Sequence, residues 1–472
     1  MVAGRIIRIA AMLLLALTLH AAPTRYKVGS TIDATPTCYG PAYDIGGGGG
    51  DVNSAIQWMI DQVRGATSSS GPKVDVVVLR CSGSDGYNAP ILAMNGVNSV
   101  ESIVGTSSAD FNDPSVAQAV SQAEVVFFAG GNQANYIQFI KGTATDTALL
   151  AMLARGGGLG GTSAGAAIQG AIIHDATTGS STSADALGDP YHSKIHFTYG
   201  WFGSLNMGNT LCEPHLQSGG NGYDRMGRLL AFVARQVQDG KSSAMLGIGI
   251  DSETSLVVDK QGLATVMGSK NVYFVLLDRT PEVCKAGAPL TCSGYKIWMV
   301  TPGQTFNLAN RPTCGYYLGS VTGGTVNGNY YVPGSLISCN PPTIDLLAPS
   351  NGPAGTQVTF TGTNLTGVTA VSFNGKSATA FSSISATNLR TTVPSGASTG
   401  PVTVTTAAGT ATGGTFTVVS STKSKDLNGI GTVDVLDLLV LAKAHLTFNP
   451  VADLNSDGVI DDQDIALWLV GF

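Results

Sequence analysis

Charge is scarce in this chain. Asp, Glu, Lys and Arg together make up 12% of its 472 residues, with a formal net charge of −6. No cluster or stripe of Lys and Arg appears, which argues against a nucleic-acid surface built on phosphate neutralisation. Long apolar runs are missing too. The most apolar stretch, Ile9 to Leu19, follows Arg5 and Arg8 and precedes His20-Ala21-Ala22. It is too short to span a bilayer and reads as a secretory leader over residues 1–22, so the expected location is extracellular or cell-surface attached. Cysteine is limited to seven residues, six of which could pair in an oxidising compartment. Cys284 with Cys292 and Cys314 with Cys339 are the expected bridges, and Cys38 with Cys81 a third. Cys212, with no C-G or C-x-x-C context, is expected as a small buried packing residue.

Glycine, in contrast, is abundant, with 61 residues. Gly161-Thr162-Ser163-Ala164-Gly165 is a G-x-S-x-G pattern followed at once by alanines. Glycines two residues either side of a serine suit a tight strand-to-helix turn that exposes the hydroxyl. In so glycine-rich a chain about one such match arises by chance, so the context has to decide. Glu124 to Ala129 reads as a buried strand, Gly130 to Gln133 as the turn that ends it, and Thr145 to Arg155 as a helix. A serine at the carboxyl end of the next parallel strand would have the amide of Ala164 and a helix dipole facing a developing oxyanion, with Gly131 or Asn132 supplying a second donor. A glycine-rich turn that only permits close packing remains an equal reading at this point.

From Tyr26 to about Tyr331 strands and helices alternate. Val52 to Arg64, Pro114 to Gln122, Ala164 to Ile173 and Arg225 to Val237 are the expected helices. Val74 to Leu79 and Gly247 to Asp251 are strands, and Ser255–Val258, Ala264–Met267 and Val272–Leu277 are expected to form a meander. The fold class is α/β, with a parallel sheet covered by helices over residues 23–340. At Pro341-Pro342 the composition shifts to Thr, Ser, Gly and Val, and short alternating strands over 341–419 imply a small β-sandwich.

After a linker, residues 420–472 contain a duplication. Asp426, Asn428, Asp434 and Asp437 in one copy, and Asp453, Asn455, Asp457, Asp461 and Asp464 in the other, have the spacing of twelve-residue calcium loops. Ile430 stands where the first loop lacks an acid, so that loop should bind Ca2+ less well. Apolar helices are expected at 438–444 and 465–470.

A serine needs a base to accept its proton. His174 lies too soon after the elbow to fold back easily, and His192 and His196 sit in a polar loop; His215, in Leu211-Cys-Glu-Pro-His-Leu216, is only modestly favoured by its position. Taken together, Gly47–Asp51, Ala129–Gln133, Gly160–Ala166, Glu213-Pro-His215, Asp224–Arg228 and Gly247–Asp251 resemble the cyanophycinase branch of the aspartyl-dipeptidase-like serine peptidases. That resemblance implies a class I glutamine-amidotransferase-like fold, Ser163 as nucleophile, His215 as general base, and Gln133, Glu213, Arg225 and Arg228 along the substrate site. It implies no cofactor for catalysis. Residues 341–419 resemble an IPT/TIG module, and the duplicated repeat resembles a dockerin.

Two departures from that pattern stand out. Glu213-Pro214 replaces the usual Asp before the histidine, and Ser252 stands where a glutamate usually completes the triad. Asp251 or Glu253 is therefore expected to fill the acid's place. Two classes of function stay open: a secreted serine exopeptidase releasing β-Asp-Arg or related units, and a catalytically weak or inactive domain that binds. The partners implied are a peptide polymer or dipeptide, a cohesin-like or cell-surface protein at the repeat, and a second copy of the chain as a homodimer.

Overall fold

The structure, a computed structural model, describes residues 22–202, 207–217, 224–419, 427, 435–447, 453–455, 459 and 462–469. The chain divides into two compact units, Met1–Pro312 with Tyr316–Gly334, and Thr313–Gly315 with Ser335–Phe472.

The first unit contains two main sheets. Its strands are β1 (Thr24–Gly29), β2 (Ala42–Gly46), β3 (Val74–Arg80), β4 (Val97–Val104), β5 (Val125–Phe128), β6 (Gly158–Thr162), β7 (Ile172–His174), β8 (Phe197–Tyr199), β9 (Thr210–Pro214), β10 (Met245–Ile250), β11 (Thr254–Val258), β12 (Leu263–Gly268), β13 (Val272–Leu277), β14 (Cys292–Val300), β15 (Thr305–Asn307), β16 (Tyr317–Thr322) and β17 (Thr325–Val326). The nine-stranded sheet runs β1-β4-β3-β5-β6-β2-β11-β12-β15, and the six-stranded one β17-β16-β14-β13-β10-β9. The block β4-β3-β5-β6-β2 is parallel throughout. Its central strands carry continuous apolar runs, Val76–Leu79 in β3 and Val125–Phe128 in β5, because helices cover both faces, as a parallel sheet demands. Val77, Leu79, Val126 and Phe128 pack in one buried cluster, and Val76, Val78, Val125 and Phe127 in another. Helix Ala144–Ala154 starts where the Thr143 side chain accepts from the Asp146 amide, and helix Pro114–Gln122 where Asp113 accepts from Ser115, with proline in the first turn.

Three expectations change. The meander is split: β11 and β12 pair in the larger sheet, whereas β13 pairs with β10 and β14 in the smaller one. The helix expected over 164–173 is a single turn, Ala164–Ala167, after which the chain becomes β7. There Gly170 passes so close to β9 that an added Cβ would lie 2.9 Å from the Thr210 carbonyl oxygen. Of the expected bridges, only Cys314–Cys339 is present; Cys38, Cys81, Cys212, Cys284 and Cys292 are free thiols. Cys38 packs against the Val76/Val78 face of the sheet and Cys81 against the Val77/Leu79 face, so that pair is kept apart by the sheet itself. Cys284 and Cys292 flank the Val283–Thr291 bridge at diagonal positions and turn into a buried apolar cluster.

In the second unit, two layers, antiparallel except for the short edge strand Asn351–Gly352, enclose a core of Val358, Phe360, Phe373, Leu389 and Val404. One layer contains Gln357–Thr361 beside Asn388–Thr392, the other Gly400–Thr406 beside Val368–Phe373. Helices Val435–Thr447 and Asp462–Leu469 follow, slightly longer at their starts than the sequence implied. No helix among the described residues is long and apolar enough to cross a membrane.

Candidate active site

Four strand ends converge on one glycine turn. β2 runs parallel to β6, and β9 runs parallel to β10, so the residues after Gly46, Thr162, Pro214 and Ile250 emerge on the same side. Backbone hydrogen bonds tie them together. The Ser163 amide donates to Gly46 O (2.9 Å), the His215 amide to Gly47 O (2.9 Å), the Glu253 amide to Gly48 O (2.7 Å), and Gly47 donates to Thr254 O (2.7 Å). Side chains would not fit at this junction. A Cβ on Gly47 would sit 1.9 Å from the Asp251 carbonyl oxygen, and one on Gly48, at φ +84°, 2.3 Å from His215 Cε1.

Ser163 is placed between β6 and the one-turn helix with φ 53° and ψ −114°. A non-glycine residue held there is strained, in the way a nucleophile elbow requires. His215 (φ 52°) and Glu253 (φ 62°) are also left-handed. The strained turns bring the side chains into line: His215 Nε2 lies 2.8 Å from Ser163 Oγ, and His215 Nδ1 lies 3.1 Å from Ser252 Oγ. With Nδ1–H donating to the Ser252 hydroxyl, Nε2 is left as the acceptor for the Ser163 proton. Burial and the guanidinium of Arg225 hold the His215 imidazole below its ordinary pKa, with Glu213 opposing the shift. The shift favours the neutral ring, the form that can accept a proton.

Neither expected acid takes the third place. Asp251 is buried and turned away, its carboxylate accepting from the amides of Gln217 (3.0 Å) and Asn271 (3.3 Å). Burial raises its carboxyl to about 6. Glu253 points to solvent, with Oε2 3.8 Å from Lys270 Nζ. The reason is geometric: the turn after β10 presents residue 252 to the ring, and residues on either side face elsewhere.

The amides of Ala164 and Gly131 make no hydrogen bond with any described residue, and both residues line a cavity of about 490 Å³ beside Ser163. Asn132 also lines it, although its side chain caps the helix Gln133–Phe139 by accepting from Ala134 (3.0 Å). A one-turn helix contributes little dipole, so an oxyanion here would depend on the individual amides. On the opposite wall Glu213, 2% exposed, binds both arginines: Arg228 Nη2 in a short contact and Arg225 Nη1 at 3.5 Å. Arg228 also donates to Ser181 O (2.7 Å), and Arg225 to Pro214 O (2.9 Å). Two guanidiniums against one carboxylate leave this wall net positive. Gln133 completes it, its Nε2 donating to His174 O at 3.3 Å.

None of His174, His192 and His196 bonds Ser163. His174 stacks on Phe232 with centroids 4.6 Å apart, and burial lowers its pKa to about 4. His196 pairs with Asp175 at 2.6 Å, and His192 accepts from the Lys194 amide at 3.2 Å. Sequence reasoning missed His174 and Ser180 as cavity walls. Gly47–Asp51 entered it only as part of a family resemblance, not as the hub that joins nucleophile and base.

Among the calcium-loop candidates, Asp437 and Asp464 are buried and close their own loops. Asp437 Oδ1 accepts from Leu427 (2.7 Å), and Asp464 Oδ1 from Leu454 (2.6 Å) and Asn455 (3.1 Å). Asp453 is buried as well. Asp426, Asn428, Asp434, Asp457 and Asp461 lie outside the described residues, among which no group of three His, Cys, Asp or Glu side chains could hold a metal.

Similarities to known proteins cover parts of the chain. The chain is 29% identical over 195 residues to the cyanophycinases of Trichormus variabilis and of a Nostoc species, a match covering 39% of this chain. It spans 57% of the length of those relatives. A crystal structure of a peptidase from an acI-B1 Actinobacterium aligns over 58% of this chain and 98% of its own at 14% identity, with a TM-score of 0.38. Residues 342–418 match the IPT/TIG domain, and residues 98–266, which include Ser163, His215 and Ser252, match peptidase family S51.

Proposed function

We propose that the first unit is a serine peptidase that hydrolyses β-aspartyl linkages, with cyanophycin cleaved to β-Asp-Arg dipeptides as the leading substrate. The observation that carries this is the single line of contacts from Ser163 Oγ through both nitrogens of His215 to Ser252 Oγ. As Ser163 Oγ attacks the carbonyl carbon, its proton passes to His215 Nε2, and the carbonyl oxygen becomes an oxyanion at the amides of Ala164 and Gly131. His215 then returns the proton to the leaving amine, and the C–N bond breaks to leave an ester on Ser163. Water attacks that ester as His215 takes its proton, and the ester C–O bond breaks as His215 passes that proton to Ser163 Oγ, which frees the acid product and restores the serine. A substrate carboxylate is drawn to the positive wall of Arg225 and Arg228, whose planar forks suit it.

Ser252 favours a second reading. A hydroxyl fixes the imidazole tautomer but adds no charge to steady the imidazolium, so a domain that binds the polymer and turns it over weakly or not at all fits the same geometry. Incubating the protein with cyanophycin separates the two. Released dipeptide that disappears with Ser163→Ala supports the peptidase; equal polymer binding by wild type and Ser163→Ala with no release from either supports the binder. We further propose export through the leader 1–22, and Ca2+ binding by the duplicated repeat as the means of docking to a cohesin-like or surface protein.

A further inference from the structure

Downstream of the base, the chain returns to the site at one more place. We infer that Tyr331 and Tyr330 are positioning residues that hold the His215–Leu216 and Asp224–Arg225 segments in register for catalysis. This rests on the peptidase reading, but its geometry is separate from the Ser163–His215–Ser252 line.

Leu216, next to the left-handed His215, is fixed from both sides. Its amide donates to Ile250 O at 3.0 Å, and its carbonyl accepts from the Arg225 amide at 2.9 Å. The Tyr331 hydroxyl reaches the same carbonyl at 3.1 Å and Asp224 Oδ1 at 2.8 Å, so one phenol proton is shared between the residue after the base and the residue before Arg225. Tyr330 donates to the other carboxylate oxygen, Asp224 Oδ2, at 2.5 Å. The Tyr331 ring is braced edge-on against Tyr273 of β13, 5.4 Å between centroids, and against Tyr330 at 4.8 Å. Asp224 is closed in further by Ser183 Oγ, which donates to its carbonyl oxygen at 2.6 Å and accepts from the Arg228 amide at 3.1 Å.

Asp224 itself is exposed, and an exposed carboxylate with two phenols on it is an expensive way to stabilise a fold. What the arrangement does is set the spacing between the base and the two arginines. His215 holds a left-handed backbone that relaxes unless its neighbours are pinned, and a shift of about 1 Å in the base costs on the order of a hundredfold in rate. The two tyrosines divide the work. Tyr331 touches both segments, while Tyr330 touches only the arginine side.

The test uses the full-length protein with Tyr331→Phe, Tyr330→Phe and Ser163→Ala. Three readouts are followed: hydrolysis of cyanophycin, labelling of Ser163 by a fluorophosphonate, which needs the base but not the arginine wall, and hydrogen–deuterium exchange of the segments 211–217 and 224–230. Tyr331→Phe is expected to label about tenfold more slowly and to exchange faster in both segments. Tyr330→Phe should label within about twofold of wild type and raise KM severalfold with kcat nearly kept. Tyr331→Phe that lowers the melting temperature but labels and exchanges as wild type overturns the inference, because the tyrosine would then be structural only. If no polymer is cleaved while labelling differs as stated, the substrate assignment fails and the positioning role stands. If wild type neither cleaves nor labels, the peptidase reading fails, and unchanged exchange in Tyr331→Phe would remove the positioning role with it.

Discussion

Introducing a carboxylate at position 252 should accelerate this site. Ser252 Oγ lies 3.1 Å from His215 Nδ1, and Ser252 is 6% exposed, so Ser252→Asp or Ser252→Glu would place a buried negative charge beside the ring. At about 4 Å and an effective dielectric near 20, the attraction for imidazolium is about 4 kcal/mol. Desolvating the carboxylate offsets part of this. A net stabilisation of about 1.5–3 kcal/mol corresponds to roughly 10- to 100-fold in kcat. The new charge also raises the His215 pKa, which wild-type burial and Arg225 hold down, so the acid limb of kcat/KM moves to higher pH. Ser252→Ala should move the opposite way, losing about tenfold as Nδ1–H loses its acceptor. Steady-state kinetics on cyanophycin and titration of the ring by NMR give both quantities. A carboxylate variant that raises the His215 pKa yet leaves kcat unchanged would refute the reasoning, since the charge would be present and the imidazolium would not be limiting.

The other predictions are more local. Gly48→Ala should lower kcat on the order of 100-fold, because its Cβ would lie 2.3 Å from His215 Cε1, whereas Gly50→Ala, with nothing nearer than Glu253 Cγ at 3.8 Å, should be nearly silent. Burial raises Asp44 and Glu124 to about 7 and Asp251 to about 6, so the folded state keeps protons that the unfolded chain has released. Their stabilisation is complete below about pH 4 and is lost as pH climbs through 6 and 7, while His174, lowered to about 4, works the other way as pH falls below its ordinary value. Thermal unfolding of the first unit should therefore show a midpoint that drops between pH 5 and 7, and Asp44→Asn should flatten it; a midpoint that rises over that interval would contradict the assignment. Adding Ca2+ should increase helical circular dichroism of the full chain, with Asp453→Ala abolishing the tighter site and Asp426→Ala having the smaller effect; equal losses would show that Ile430 does not weaken its loop.

The parts of the fold that were legible are those whose signal is local. Val76–Leu79 and Val125–Ala129 announce buried parallel strands by unbroken apolar runs, whereas Gly161–Gly165 became legible as an elbow only beside them, because glycines serve close packing as readily as a strained turn. The assignment of β13 to a different sheet from β12 was not legible, because strand partners are chosen by non-local packing that periodicity does not encode. Among residues 251–253, three polar side chains followed a strand, and which one reaches the base depends on a left-handed turn at Glu253 that its composition does not mark. Tyr331 lies 115 residues from Leu216, so no spacing in the sequence connects them.

The turn at Gly46–Gly48 is built from main-chain donors and acceptors alone, and this makes the site unevenly tolerant of sequence drift. Amides and carbonyls are common to nearly every residue, so the relative placement of nucleophile and base does not depend on what position 252 contains. A charge can be introduced there, or removed again, while Ser163 and His215 keep their alignment. Positions 47 and 48 have no such latitude. In a saturation library scored separately for folding and for turnover, 47, which faces backbone, should be closed in both screens and 48, which faces the His215 ring, in the second, whereas 252 should be open in the first and graded in the second, a position at which the rate can be tuned by one substitution with the scaffold left alone.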